Sequence, residues 1–301
     1  MAELPRKTLG RTGEQVTTLG FGAMELRGDQ RAPQMTEKQA ETLLNTVLDM
    51  GINFIDTSID YGLSEERIGK HIAHRRDEYF LASKCGCVPG AGMGGEHIHT
   101  AENIRHGVEN SLRLLKSDYL DLVQFHRSLT KEEFEKDGAL QELLKMRDEG
   151  KVRFVGVSGT LPNLNEQIEM GVFDAFQIPY SALQREHEDV ISTALEHGAG
   201  TIIRGGVARG APTDWDNRWY YMVSKETMKD RWETARLDEL LDGMTRMEFM
   251  LRFTLSHPAL CTTIVGTSSP DHLRDNVEVA IKGPLPEDVV TEAKTRLAAV
   301  G

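Results

Sequence analysis

The stretch TEKQAETLLNTVLDMGINFID, Thr36 to Asp56, carries the pattern that decides the fold. Thr36 with Gln39 three residues later is a capping box, so a helix begins there. Ala40, Leu43, Leu44, Val47 and Leu48 then recur at helical spacing and form one apolar face. Asn53–Asp56 follows as a short strand, apolar until its last residue.

The same alternation extends in both directions. The strand candidates are Thr18–Phe21, Asn53–Asp56, Tyr79–Lys84, Leu120–His126, Arg153–Ser158, Ala175–Ile178, Thr201–Arg204 and Thr262–Gly266. Between them lie helical signals. Ile104, Val108, Leu112 and Leu115 make a stripe, and Thr130 with Glu133 is a second capping box whose helix ends at Gly150. Pro162 opens a short helix that Gly171 closes, Gly198 follows a helix over Glu186–His197, and Ser269-Pro270 reads as N-cap plus first-turn proline. Strands alternating with crossover helices make a parallel sheet, and eight of them suit a closed (β/α)8 TIM barrel. Lys7–Val16, with Thr12-Gly13 at its turn, reads as a β-hairpin ahead of the first barrel strand. No linker interrupts residues 1–301, so a single domain is expected.

Composition narrows the function. The 301 residues suit one α/β barrel. No apolar run approaches the roughly 18 residues of a membrane span, and Met1–Gly10 lacks the apolar core of a signal peptide. Cys85, Cys87 and Cys261 are an odd count, which argues against a disulfide framework and for a reducing, cytoplasmic location. A net charge of −12 disfavours nucleic acid and anionic membranes as partners. The expected partner is a small-molecule carbonyl substrate, and the oligomeric state stays open.

Active sites of such barrels lie where the strands end. The strand tips here include Asp56, Lys84, His126, Ser158, Gln177, Arg204 and Gly266, polar in all but the last case, and Tyr61 follows Asp56 in the next loop. Asp56, Tyr61, Lys84 and His126 suit carbonyl reduction. Hydride addition leaves negative charge on oxygen, which an acid must neutralise. A phenol titrates near 10, and an adjacent Lys84 ammonium is expected to lower that value. Asp56 can hold Lys84, and His126 can orient the substrate oxygen or relay the proton.

These residues also carry a resemblance. Arg6-x-x-Leu9-Gly10-x-Thr12-Gly13 with Leu19-Gly20-Phe21-Gly22-Ala23-Met24 resembles the N-terminal signature of bacterial aldo-keto reductases. Gly51–Asp56 with Thr57-Ser58-x-x-Tyr61-Gly62, Ser117–His126, Gly150–Ser158 and Ile264–Thr267 are similar to further motifs of that family, in the same order. The resemblance implies a catalytic tetrad of Asp56, Tyr61, Lys84 and His126. It also implies NADP(H) as cofactor, with NAD(H) the alternative. Cofactor contacts are implied at Gly22, Ala23, Met24 and Asp56, and at Ser158 and Gln177, which match positions that hold the nicotinamide carboxamide. Further contacts are implied at Arg204, Gly205, Val207, Arg209, Gly266, Thr267, Ser268, His272, Asp275 and Asn276.

The residues near Pro270 support a phosphate site independently, because a helix N-terminus offers free N–H groups and the positive end of its dipole. Family members that prefer NADP often carry Lys where Gly266 stands and Arg where His272 stands; His272, Arg274 or a basic residue from elsewhere can compensate. Gly159 replaces the family's usual Asn. Arg204 replaces the aromatic that stacks on the nicotinamide; its planar guanidinium can stack instead, or it can pair with a carboxylate or with substrate. The glycine-rich loop Cys85–Thr100 and the aromatics Trp215, Trp219, Tyr220 and Tyr221 are candidates for shaping substrate access. Cys85-x-Cys87 with His97-x-His99 is a weak metal pattern, so no metal is expected. The main reading is an NADP-dependent reductase of aldehydes or ketones. The alternative is a non-catalytic cofactor-binding regulatory module of the same fold.

Overall fold

The chain opens with the expected hairpin: β1 (Arg6–Thr8) pairs antiparallel with β2 (Gln15–Thr17), and Gly13 takes a left-handed φ of 75° at the turn. The computed structural model describes residues 3–28, 34–210 and 225–300; the side chains of Arg209, Lys225 and Glu226 also lie outside the description. Eight parallel strands follow: β3 (Leu19–Gly22), β4 (Phe54–Asp56), β5 (Phe80–Cys85), β6 (Leu120–Phe125), β7 (Val152–Ser158), β8 (Ala175–Pro179), β9 (Gly200–Arg204) and β10 (Thr262–Val265). They pair in sequence order, and β10 closes the barrel between β9 and β3.

The crossover helices are α1 (Glu37–Asp49), α2 (Ser64–His71), α3 (Ala101–Leu115), α4 (Lys131–Lys136), α5 (Ala139–Asp148), α6 (Leu164–Glu169), α7 (Glu188–Glu196), α8 (Lys225–Thr234), α9 (Arg246–Leu255), α10 (Pro270–Lys282) and α11 (Glu287–Ala298). Both predicted capping boxes form, at Thr36 and at Thr130. Three helix expectations change. The helix that starts after Thr130 does not run to Gly150; Gly138, at φ 72°, breaks it into α4 and α5. The segment predicted over Glu186–His197 is helical only over Glu188–Glu196. Pro162 precedes α6 by a turn instead of opening it. No helix among the described residues is long and apolar enough to cross a membrane.

Alternation along the strands positions the site. Phe54, Phe80, Ala82, Leu122, Ala175 and Ile202 pack inside the barrel as one cluster, joined by Leu9 and Val16 of the hairpin. Arg11 straps the hairpin to the turns that precede β8 and β9, through the Gly171 and Gly198 carbonyls. The hairpin therefore plugs the end at which the strands begin. Side chains repeat every second residue along a strand. Continuing the inward series by one step gives Asp56, Lys84, Gln124, Gln177 and Arg204, a polar layer at the opposite end. The other parity, including Ile55, Leu81, Val123, Val155, Phe176 and Ile203, faces outward into the helices.

Between barrel and helices, Phe173 contacts Phe125, Phe134 and Phe176 with ring centroids 6.3, 5.2 and 5.9 Å apart. It is 1% exposed, and its removal leaves a cavity its rigid neighbours cannot fill. Phe173→Ala is expected to cost about 3–5 kcal/mol, read from the urea midpoint. A loss below about 1 kcal/mol would show that this layer repacks freely.

Candidate active site

Asp56 and Lys84 stand at the centre of the polar layer. The Lys84 ammonium, with no exposed side-chain surface, lies 2.6 Å from Asp56 Oδ2 and also donates to the Thr57 carbonyl at 2.7 Å. The second carboxylate oxygen, Asp56 Oδ1, accepts from Gln124 Nε2 at 3.0 Å and from Gln177 Nε2 at 2.8 Å. Gln177 in turn accepts from Ser158 Oγ at 3.0 Å. Five strands, β4 to β8, thus contribute to one connected network. Burial pushes the Lys84 ammonium down, but Asp56 and Tyr61 more than offset this, and its pKa lies above the ordinary lysine value. The ammonium stays charged because its carboxylate partner is fully hydrogen-bonded in the same dry space.

Tyr61 lies beside this pair. Lys84 Nζ is 5.0 Å from the phenol ring centre, and the His126 ring meets Tyr61 edge-on at 5.9 Å. The expected lowering of the Tyr61 pKa is overturned: the value is raised. Burial outweighs the ammonium, which does act downward, and Asp56 and Asp60 add to the rise. Asp56 compensates the nearby positive charge, so the phenol keeps its proton and remains an acid. His126 is driven well below the ordinary histidine value by burial, then by Lys84, His97 and Arg204, so its imidazole is neutral.

A cavity of about 820 Å³ opens from Asp56 and Tyr61 and runs to the start of α10. Gly22 and Met24 line one wall, while Gln177, Arg204, Gly205 and Val207 line another. Gly266, Thr267, Ser268, His272, Asp275 and Asn276 line its far end. Ala23 is buried behind the first wall, where its carbonyl accepts from Ser64. Arg209's side chain and the aromatics Trp215, Trp219, Tyr220 and Tyr221 lie outside the described residues. The cavity suits an extended nucleotide. A Cβ on Gly266 would sit 3.0 Å from the Gly22 carbonyl, so glycine keeps a narrow slot clear between β3 and β10. Ser269 caps α10 by accepting from His272 N, leaving the helix N-terminus directed at the cavity end. The volume lies within the range of cofactor pockets.

Sequence reasoning missed several residues. Gln124 needed only the inward parity of Leu122, two positions earlier. Glu25, Thr245, Glu248 and Lys282 also line the cavity, with Lys282 Nζ 3.0 Å from Glu248 Oε1. The last three come from α9 and the far end of α10, and no local motif marks them. The Cys85/Cys87/His97/His99 pattern divides. Cys85 packs in the outer core and His99 lies against Phe125. Cys87 and His97 come together, with Sγ and Nε2 3.5 Å apart. His126 Nδ1 is 3.1 Å from the same sulfur and 3.6 Å from Asp60 Oδ1. All three cysteines are free and buried.

The sequence profile of the aldo/keto reductase family matches residues 18–296. The chain is 27% identical over 299 residues to the uncharacterized oxidoreductase YqkF of Bacillus subtilis, covering 95% of this chain and 94% of that protein. It is 29% identical over 293 residues to L-galactose dehydrogenase of Arabidopsis thaliana, covering 92% and 88%. Among solved structures, the aldo-keto reductase AKR11C1 of Bacillus halodurans in its holo form superposes with a TM-score of 0.83 at 28% identity, over 98% of this chain and 96% of that one.

Beneath the site, Glu65 is 1% exposed and accepts from Ser83 Oγ at 2.6 Å, while its Oε2 has no partner. Burial pushes its carboxyl up to about 7, against the hydrogen bond from Ser83. Between the unfolded value of 4.5 and about 7 the folded chain holds more protons than the unfolded chain, so stability falls as pH rises through that window. The loss is on the order of 3 kcal/mol. Glu65→Gln, uncharged throughout, is expected to flatten the dependence measured by urea unfolding at pH 5 and pH 8. An unaltered slope would assign it to other groups.

Proposed function

The chain belongs to the aldo/keto reductase family, and from that premise we propose that it is an NADP(H)-dependent oxidoreductase that reduces an aldehyde or ketone, with Tyr61 as the general acid. The observation that carries this reading is the meeting of a protonated phenol, a buried ammonium and a neutral imidazole at one end of a nucleotide-sized cavity.

When bound, the reduced nicotinamide supplies a hydride to the carbonyl carbon. The chain's own residues handle the charge that this creates on oxygen. Tyr61 gives its proton to that oxygen, and Lys84 stabilises the phenolate left behind, a charge it can meet because Asp56 holds it in place. His126, neutral, offers a ring N–H to the substrate oxygen without competing as an acid. Ser158 and Gln177 present hydroxyl and amide groups to the carboxamide. The start of α10, with Ser268 and His272, receives the adenosine 2′-phosphate; Arg274, paired with Asp271 in the first turns of the helix, is a basic side chain available there. Arg204, which lines the cavity, would lie against the bound ring, and its charge acts on both Tyr61 and His126. The similar protein of Arabidopsis thaliana is named a dehydrogenase, and the same groups run in reverse would oxidise an alcohol, with Lys84-stabilised Tyr61 as base.

Tyr61→Phe is expected to lower NADPH turnover with a panel of aldehydes and ketones by about 10²–10⁴-fold while leaving NADPH affinity nearly unchanged. Full turnover in the variant would remove Tyr61 from its role. Turnover absent from the unvaried protein, with cofactor still bound, would favour the regulatory-module reading.

Arg204 generates a second expectation. Its guanidinium repels the positive oxidised ring and spares the neutral reduced one. Arg204→Tyr is therefore expected to shift the ratio of dissociation constants for NADP⁺ and NADPH by roughly tenfold toward the oxidised form. An unchanged ratio would show that Arg204 does not face the ring.

A further inference from the structure

We propose that Asp60, Cys87, His97 and His126 form a four-ligand metal site of the zinc class beside the barrel mouth. Their ligand atoms all lie within 4.8 Å of one another, although the residues come from three separate segments. Asp60 follows β4, Cys87 and His97 belong to the loop after β5, and His126 ends β6. A tetrahedral ion with bonds of about 2.3 Å to sulfur and about 2.0–2.1 Å to nitrogen or oxygen holds its ligand atoms about 3.3–3.6 Å apart. Of the six separations, Cys87 Sγ to His97 Nε2 is 3.5 Å and His126 Nδ1 to Asp60 Oδ1 is 3.6 Å; Cys87 Sγ to His126 Nδ1, at 3.1 Å, must open slightly, and the others lie within 4.8 Å and must close around an ion.

Hydrogen-bond accounting points the same way. His97 Nδ1 faces the Gly95 carbonyl at 3.1 Å, and a carbonyl only accepts, so Nδ1 carries the ring proton. Nε2 then presents a lone pair toward the sulfur. This is how a protein usually orients a metal-binding histidine. His126 Nδ1 approaches the same sulfur from another side. One cation at the centre would take a lone pair from each of the four groups at once. Asp60 and Cys87 are 4% and 1% exposed, and Asp60 accepts from Ser58 Oγ; Cys87 rests as a thiol, and its thiolate beside the Asp60 carboxylate requires a cation. Together with two neutral imidazoles they balance a divalent ion. The backbone bridge between Cys87 and His97 holds two of the ligands in register before any ion arrives.

Sulfur, nitrogen and oxygen donors in a closed set of four favour zinc over magnesium or calcium. The Cys87 proton leaves to solvent on binding. Four protein ligands leave no open position, so the ion acts by clamping the loop after β5 to β6. Coordination through Nδ1 also fixes the His126 proton on Nε2. That last consequence rests on the reductase reading; metal uptake itself does not.

The test uses the full chain, stripped with chelator and titrated with cobalt(II) and then zinc(II). The expected result is about one metal per chain, with a thiolate-to-cobalt charge-transfer band and the intense visible bands of a tetrahedral ion. Cys87→Ser should abolish the charge-transfer band, and His97→Asn should weaken zinc binding on the order of a hundredfold. Circular dichroism of the metal-free variants separates a lost ligand from a lost fold. If both variants unfold, the unvaried protein still decides, because added zinc should raise its Tm. Substoichiometric uptake, a weak octahedral cobalt spectrum, a charge-transfer band that survives Cys87→Ser, or no rise in Tm would each overturn the site. None of these readouts uses turnover, so the reductase reading and the metal site fail separately.

Discussion

Lys84 is an ammonium group with no exposed side-chain surface, and Asp56 is the carboxylate that makes this tolerable. Taking either charge alone out of water would cost several kcal/mol. Together, with Gln124, Gln177 and the Thr57 carbonyl completing their hydrogen bonds, they hold a positive charge in dry surroundings next to a phenol. A pair of this kind contributes little to stability, and an apolar pair of equal volume would serve the barrel as well or better. Its value lies in the chemistry. A phenol that gives up its proton here leaves a negative charge that only a fixed, unsolvated cation can meet effectively.

The barrel supplies the rigidity that this pair requires. Its lower interior is filled by Phe54, Phe80, Leu122 and their neighbours and is closed by the hairpin. The polar layer is simply the next inward step along the same strands. Stability and chemistry therefore occupy opposite ends of one parity series, and a register slip in any of these strands would turn its polar tip into the helical layer. The cavity between β3, β9, β10 and α10 depends on the same closure, since β10 joins the first barrel strand to the last.

Much of this was legible in the sequence because local rules agreed with one another. Capping boxes, helical stripes and apolar runs with polar tips gave the eight strands, the hairpin and the positions of Asp56, Lys84 and His126. What stayed hidden depended on summed fields or on distant contacts. The direction of the Tyr61 shift required the burial of its ring and the distances to two carboxylates as well as to Lys84. Glu248 and Lys282 reach the cavity from helices whose sequences show only ordinary amphipathic patterns. Gly138 breaks a helix that the preceding capping box and following stripe join into one. The cysteine pair separates because Gly86, at φ 89°, ends the strand between Cys85 and Cys87; the fold then brings Cys87 and His97 together with Asp60 and His126, which no spacing rule connects to them.

A crystal structure with NADPH bound tests this arrangement at its core. The expected result is the nicotinamide ring beside Tyr61 and Arg204, its carboxamide on Ser158 and Gln177, its adenosine end at the start of α10, and the Tyr61 hydroxyl within hydrogen-bond reach of Lys84 Nζ. A nucleotide bound elsewhere, or a Lys84 ammonium turned away from both Asp56 and Tyr61, would contradict it.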